Sequence, residues 1–372
     1  MVKLSLTIIL FLISLLTILP APAFYLWLLA IAADEFSWVF IAVLLVVILV
    51  SFKPSAYQTP TLIVSFIALF IFASPIARAY FISKKIRNDM ASAFGDHSVA
   101  SQKPFSYPGL FKSNISIPYS TVSYKKTDKG NLTMDFYPSA IPGVKPCVIV
   151  VHGGSWKSGD SKQLPELNSV LASKGYHVAA INYRLAPSYQ NPAPVEDVRD
   201  ALAFLKEKAA AWHIDSGNFI LLGRSAGAQI ALLAGFTLKD PEVKGVIDFY
   251  GPADMVWGYS IPSNPLIMDS RKVMEDYLGG SYNTHPQNFE KSSPLLYVSN
   301  QSPPTLLIHG ENDVLVAYEH SKRLNAKLST NGVKHYLLTL PWATHAFDYN
   351  LNGPGGQLST YAVMYFLKSV TN

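Results

Sequence analysis

The chain has 372 residues, of which 49% are apolar and only 15% charged, against about 25% charged in typical soluble domains. The net charge is a mild +5 with no Lys/Arg run interleaved with aromatics, so nucleic-acid binding has no support. A single cysteine excludes an intramolecular disulfide, and Cys147, inside the apolar run 147–151, reads as a buried inert thiol.

The charge deficit lies at the start of the chain. Residues 1–83 carry only Lys3, Lys53, Arg78, Asp34 and Glu35. Apolar runs fall at 4–19, 23–33, 36–52 and 61–82. A spanning helix needs about 20 apolar residues. Joining the first two runs as one kinked helix gives about three spans, near 4–32, 36–52 and 61–82. The expectation is a multi-pass membrane anchor over 1–83. A cleaved signal peptide stays open for residues 1–23, with Lys3 ahead of the apolar run and Ala21-Pro22-Ala23 as the cleavage site. Lys84, Lys85 and Arg87 follow the last run and lean the remainder toward the cytoplasmic side. The mixed, polar stretch 84–114 reads as a linker. Asn114, Asn131 and Asn300 open glycosylation sequons that matter only in a lumenal setting.

From about residue 115 short strands alternate with helices. Strands are expected near 117–125, 132–137, 146–151, 177–182, 218–222, 245–250, 304–309 and 335–340. Helices are expected near 162–174, 194–211, 226–238, 317–330 and 357–369. Apolar strands alternating with helices specify an α/β domain over 115–372, with a mostly parallel eight-stranded sheet covered on both faces. The turn signal Asp128-Lys129-Gly130-Asn131 makes the first two strands a hairpin. Residues 251–303, rich in Trp, Tyr, Pro and Met, form a long insertion that reads as a cap over a site.

Three places carry chemistry. Gly223-Arg224-Ser225-Ala226-Gly227 joins an apolar strand to a helix. A serine on so sharp a turn adopts a strained backbone, and flanking glycines remove clashing side chains. The turn lifts the hydroxyl above the sheet, and the helix N-terminus places a positive dipole end beneath a developing oxyanion. His152-Gly153-Gly154-Ser155-Trp156 follows the strand ending at Val151. There Gly153 and Gly154 are the expected oxyanion donors, with the Ala226 N–H as a third. His152 reads as support for the loop. A base must come late in a Ser, acid, His order. His345, in the loop after the last strand, fits best, while His309, His335 and His320 fall in strands or a helix. The acid follows the strand ending at His309. Asp313 and Glu311 both qualify, and Asp313 is preferred.

With these pieces in this order the chain resembles the hormone-sensitive-lipase-like esterases and their relatives in the α/β-hydrolase superfamily. The resemblance covers about 115–372 and rests on His152-Gly153-Gly154, Tyr183-Arg184-Leu185-Ala186-Pro187, Pro194 with Glu196-Asp197, the 223–227 elbow, His309-Gly310 with Asp313, and His345-Ala346-Phe347. Ser155-Trp156 replaces a third glycine of the lipase-like members. That form looks more like kynurenine formamidases, feruloyl-esterase-like enzymes and prenylcysteine methylesterases, the last of which also carry an N-terminal membrane segment. The resemblance implies that Tyr183, Arg184 and Asp197 support the site structurally. Read from the residues alone, Arg184 also qualifies as a carboxylate binder.

The expected activity is hydrolysis of small-molecule or lipid-like carboxylic esters by Ser225, His345 and Asp313, without cofactor or metal. An amide-cleaving hydrolase, an acyltransferase and a non-catalytic binding protein on the same fold are the alternatives. Because every site residue lies after 115, residues 1–83 are expected to be separable from an active soluble domain.

Overall fold

The computed structural model of the chain describes residues 2–96 and 103–371. Eight strands form one sheet: β1 (Ser120–Thr127), β2 (Gly130–Tyr137), β3 (Lys145–Val151), β4 (His177–Ile181), β5 (Ile214–Arg224), β6 (Val243–Phe249), β7 (Thr305–Gly310) and β8 (His335–Leu340). Their order is β1-β2-β4-β3-β5-β6-β7-β8. The β1–β2 hairpin closes at the Thr127–Gly130 pair, β2 runs antiparallel to β4, and every other neighbour is parallel. The largest shift from expectation is at β5. It starts at Ile214, where a register irregularity lets the polar stretch 215–218 join the strand.

The central strands read as unbroken apolar runs because both faces are covered. Along β3, Cys147, Ile149 and Val151 enter one core cluster, and Val148 and Val150 enter the other. Five helices precede the sheet: α1 (Val2–Ser14), α2 (Phe24–Glu35), α3 (Ser37–Ser51), α4 (Gln58–Ser83) and α5 (Ile86–Phe94). Those that follow are α6 (Pro165–Ser173), α7 (Ala193–Trp212), α8 (Ala226–Thr237), α9 (Met255–Ser260), α10 (Ser270–Leu278), α11 (Pro286–Lys291), α12 (Glu319–Thr330) and α13 (Pro354–Thr371). Helices α7, α8 and α12 pack into the first cluster, and α5, α6 and α13 into the second. The insertion between β6 and β7 holds the three short helices α9, α10 and α11.

The N-terminal third differs from its expected form. Residues 4–32 are not one kinked helix: α1 closes in a single 3₁₀ turn at Thr17, and α2 begins only at Phe24. Pro20 and Pro22 lie in the break, where each removes a backbone donor. Helices α2 and α3 meet at an 80° bend. Among the described residues only α4, with 26 residues, is long and apolar enough to cross a membrane, or two spans if the bent pair counts as one. The expected linker contains α5, whose Ile86, Met90 and Phe94 recur every four residues and are buried in the second core cluster. Residues 97–102 of that stretch lie outside the described residues.

Nor are residues 1–83 detached from the α/β domain. The Glu35 carboxylate accepts from the backbone N–H groups of Gly355 (2.9 Å) and Gly356 (3.3 Å), at the start of α13. The Glu35 carbonyl accepts from Asn350 Nδ2 at 2.8 Å, and Arg78 donates to the Pro341 carbonyl at 3.4 Å. The N-terminal helices thus pack against the α/β domain, and deleting residues 1–83 would strip these partners from buried groups, including the buried Trp342. Replacing Glu35 by Ala leaves two buried N–H groups unsatisfied, a cost of about 1–3 kcal/mol. Thermal unfolding of the detergent-solubilised protein is expected to show a lowered midpoint in Glu35→Ala; an unchanged midpoint means that the dock contributes nothing.

Candidate active site

Ser225 stands between β5 and α8 with φ 53° and ψ −122°, a backbone region costly for any side-chain-bearing residue. Close approach explains the glycines around it. A Cβ on Gly223 would lie 2.3 Å from the Gly227 carbonyl oxygen. A Cβ on Gly227 would lie 2.3 Å from the carbonyl oxygens of both Val151 and His152. The elbow is tied to the next strand by the Ser225 N–H, which donates to Phe249 O at 2.9 Å.

Asp313 lies in the turn after β7 with its side chain fully buried. Its Oδ1 accepts from the N–H groups of Leu315 and Val316, both at 2.9 Å. Its Oδ2 lies 2.7 Å from His345 Nδ1 and 3.2 Å from His309 Nε2. Burial alone would raise this carboxyl. The charge interaction with His345, then the hydrogen bonds from His309 and His345, outweigh it and hold Asp313 well below the usual carboxylate range. Glu311, the rival, is exposed.

His345 is buried in the loop after β8. Its Nδ1 is committed to Asp313, which leaves Nε2 as the candidate base nitrogen, and His345 and Ser225 line one cavity. No Ser225–His345 hydrogen bond is closed among the described residues, and catalytic contacts of this kind are often long before substrate binds.

The oxyanion loop departs from expectation at one residue. The Gly153 N–H donates to Gln163 Oε1 at 2.7 Å, so that donor is already engaged. Gly153 is glycine because of proximity: a Cβ there would lie 3.1 Å from Arg224 O and 3.3 Å from Ser225 Cβ. Gly154, at φ 116°, and Ser155, at φ 55°, carry the loop past Ser225 in left-handed backbone. Gly154, Ser155 and Ala226 all line the cavities around the serine. Gly154 and Ala226 therefore stay as donor candidates, and Ser155, which lines both cavities, joins them as a candidate.

The supporting residues hold the loops. His152 stacks on Tyr183 with ring centres 4.3 Å apart, its Nδ1 lies 2.7 Å from Gly153 O, and the Tyr183 hydroxyl donates to His152 O at 3.1 Å. Burial pushes His152 below its usual range, so the ring is neutral. Arg184 does not face the cavity. Its Nε donates to both Asp197 oxygens at 2.9 and 3.0 Å, and its Nη2 donates to Ala193 O and Glu196. Asp197 also accepts from the Arg184 N–H and from Lys125. This is a structural clamp and not a substrate-carboxylate binder.

Several contributors carry no local sequence signal. Arg224 Nε donates to Asp348, and the Tyr250 hydroxyl donates to the same carboxylate, so the elbow is bound to the His345 loop. The Tyr250 ring lies 4.4 Å from the His345 ring. Trp27 of α2 donates its indole N–H to His345 O at 3.1 Å. Trp156 donates to Gln229 Oε1 at 2.9 Å and stacks on Tyr277 at 4.5 Å.

Two cavities meet at Ser225. One, of about 140 Å³, lies under the β6–β7 insertion against Trp156, Val273, Met274 and His320. Burial pushes His320 down to about 3, so it adds no charge there. The other, of about 410 Å³, passes His345 and Tyr250 to reach α2. Larger surface hollows elsewhere hold none of these groups. Among the described residues no cluster of three or more His, Cys, Asp or Glu is placed to hold a metal ion.

The sheet is that of the α/β hydrolases. The chain superposes with a TM-score of 0.59 on a Rhizomucor miehei esterase structure, at 18% identity, over 77% of this chain and 90% of that one. It is 30% identical to the esterase LipC of Mycobacterium tuberculosis, over 60% of this chain and 58% of that protein. It is 27% identical to the isoprenylcysteine alpha-carbonyl methylesterase ICME of Arabidopsis thaliana, over 61% of this chain and 56% of that protein. The matches thus span a little over half the length of these curated relatives. The BD-FAE family model matches residues 134–328, just over half of the chain. That range takes in the oxyanion loop, the elbow and Asp313, and the chain belongs to the BD-FAE family.

Proposed function

We propose that the chain is a serine hydrolase that cleaves carboxylic esters through an acyl-enzyme. The observation that carries this reading is the buried Asp313–His345 hydrogen bond of 2.7 Å, beside a serine held on a strained elbow in the same cavity. Esterase names among the relatives support it. His345 Nε2 takes the Ser225 proton as Oγ attacks the ester carbonyl. Asp313 holds the imidazole in the tautomer with Nδ1 protonated and stabilises the imidazolium. The N–H groups of Gly154, Ser155 and Ala226 face the developing oxyanion, where fixed donors in a dry site are worth most. The proton then passes to the leaving alcohol, and water repeats the sequence on the acyl-enzyme.

We also infer a membrane setting. Support comes from α4 and from the apolar side chains that the N-terminal helices expose, such as Phe70 (79%), Leu49 (69%) and Phe81 (67%). Exposed apolar surface on this scale marks an interaction site. Lys84 and Lys85, just after α4, and Arg87 in the first turn of α5 lean the domain toward the cytoplasm.

Ser225→Ala is expected to abolish ester turnover and labelling by a fluorophosphonate, and labelling that persists in the variant removes Ser225 as nucleophile. Asp313→Asn is expected to lower kcat by about four orders of magnitude through the wrong tautomer, and Glu311→Gln by less than about twofold, a residue outside the hydrogen-bonded set being near neutral. The reverse order, read with a chromogenic acetate, overturns the acid assignment. Asp313 also has a pH signature. A carboxyl lowered in the folded state contributes stability that is complete above its unfolded value of about 3.9 and is lost as pH falls toward the folded value. The drop in wild-type unfolding midpoint over that acid window is expected to be shallower in Asp313→Asn. For the membrane, carbonate-washed membranes are expected to retain the protein, and recovery in the soluble fraction contradicts the anchor. An epitope tag added after Asn372 is expected to be removed by protease added to the cytoplasmic face of sealed vesicles; removal only from the other face reverses the orientation.

A further inference from the structure

We propose that helix α2 forms the leaving-group wall of this active site, and that the substrates are esters joining a short acyl chain to a bulky apolar alcohol. This rests on the serine-hydrolase reading. Ser155, Ser225, Met268 and Leu315 line both cavities, so each opens on the same reacting carbon. The two are unequal, about 140 Å³ against about 410 Å³. The direction of proton transfer tells them apart. The base returns its proton to the departing oxygen, so the alcohol must leave on the side where the imidazole stands. His345 lines the larger cavity and not the smaller. The larger is the alcohol side, and the smaller, closed by the cap, takes the acyl chain.

The balance is that of ester hydrolysis. Ser225 Oγ bonds to the carbonyl carbon as the bond to the alcohol oxygen breaks, and the serine proton reaches that oxygen through His345. Water then supplies the oxygen of the carboxylic acid and restores the Ser225 hydroxyl.

The outer wall of the alcohol cavity is Phe24, Trp27 and Leu28. These residues are held in place at three points. Trp27 donates to His345 O, the Phe24 N–H donates to Leu266 O at 3.1 Å, and Asn264 Nδ2 donates to Pro22 O at 3.0 Å. The wall is therefore fixed to both the base loop and the cap. Arg224, which also borders this cavity, bonds Asp348 through Nε, and its buried Nη1 and Nη2 have no hydrogen-bond partner among the described residues. What α2 offers is aromatic and aliphatic surface, which selects an apolar alcohol by the water it excludes. Beyond the wall, Tyr25 is 82% exposed and Leu266 72%, an apolar lip continuous with the N-terminal helices.

The test uses the full-length protein in detergent and two ester series: acetates of alcohols of rising bulk, and ethyl esters of acids of rising length. The wild type is expected to keep or gain kcat/KM along the first series and to lose it along the second. Leu28→Trp, which fills the cavity, is expected to lower the bulky-to-small alcohol ratio of kcat/KM by about tenfold or more, the scale of one misfitting apolar group. The change should sit in KM, with the long-to-short acyl ratio unmoved. Leu28→Ala provides the same reading if the larger side chain prevents folding, since it too should move the alcohol ratio alone. A shift confined to the acyl ratio, or equal losses on every ester, overturns the proposal while leaving the hydrolase reading intact. A wild type that hydrolyses no ester and resists fluorophosphonate removes both.

Discussion

A buried carboxylate is costly unless its oxygens are satisfied, and the loops at the ends of β7 and β8 are arranged around one. Asp313 draws in two backbone N–H groups from its own turn and two imidazoles from different parts of the chain. The backbone donors fix the turn after β7, and the His345 contact fixes the loop after β8. His309 is locked in turn: its Nδ1 lies 2.7 Å from Ser321 Oγ and its Nε2 3.0 Å from Val316 O. The charge that orients the base therefore also joins two loops and the start of α12.

The second constraint is backbone crowding where β3, β5 and α8 converge. Gly227 passes so close to the Val151 and His152 carbonyls that a methyl group cannot fit. That contact sets the height of Ser225 above the sheet and fixes the oxyanion loop relative to it. A single crossing thus positions nucleophile and donors together, and the Arg224–Asp348 pair carries the same registration to the His345 loop.

Much of this was legible because its causes are local. The eight strands follow from apolar runs, the elbow from two glycines around a serine at a strand-to-helix junction, and Asp313 and His345 from their places after β7 and β8. What was not legible depends on distant partners. The engagement of the Gly153 N–H requires Gln163, ten residues on, to turn back into the loop. The Arg184 clamp required knowing that Asp197, at the start of α7, meets it. Helix α5 did have a signal, apolar residues at 86, 90 and 94, but a polar average over the segment hid it. Composition made residues 1–83 look like a detachable anchor. The contacts of Glu35 with Gly355 and Gly356, more than 300 positions apart, and of Trp27 with His345 join those residues to the α/β domain.

That last contact changes how the chain works as a whole. An anchor needs only apolar length, and α4 has it. Helix α2 is too short to anchor anything, and its polar contacts point to a different role. At its start, Phe24 and Trp27 bond to the cap and to the His345 loop; at its end, Glu35 holds α13. Position in the sequence separates residues 1–83 from Ser225 by more than a hundred residues; in space the Trp27 indole N–H lies 3.1 Å from the carbonyl oxygen of His345.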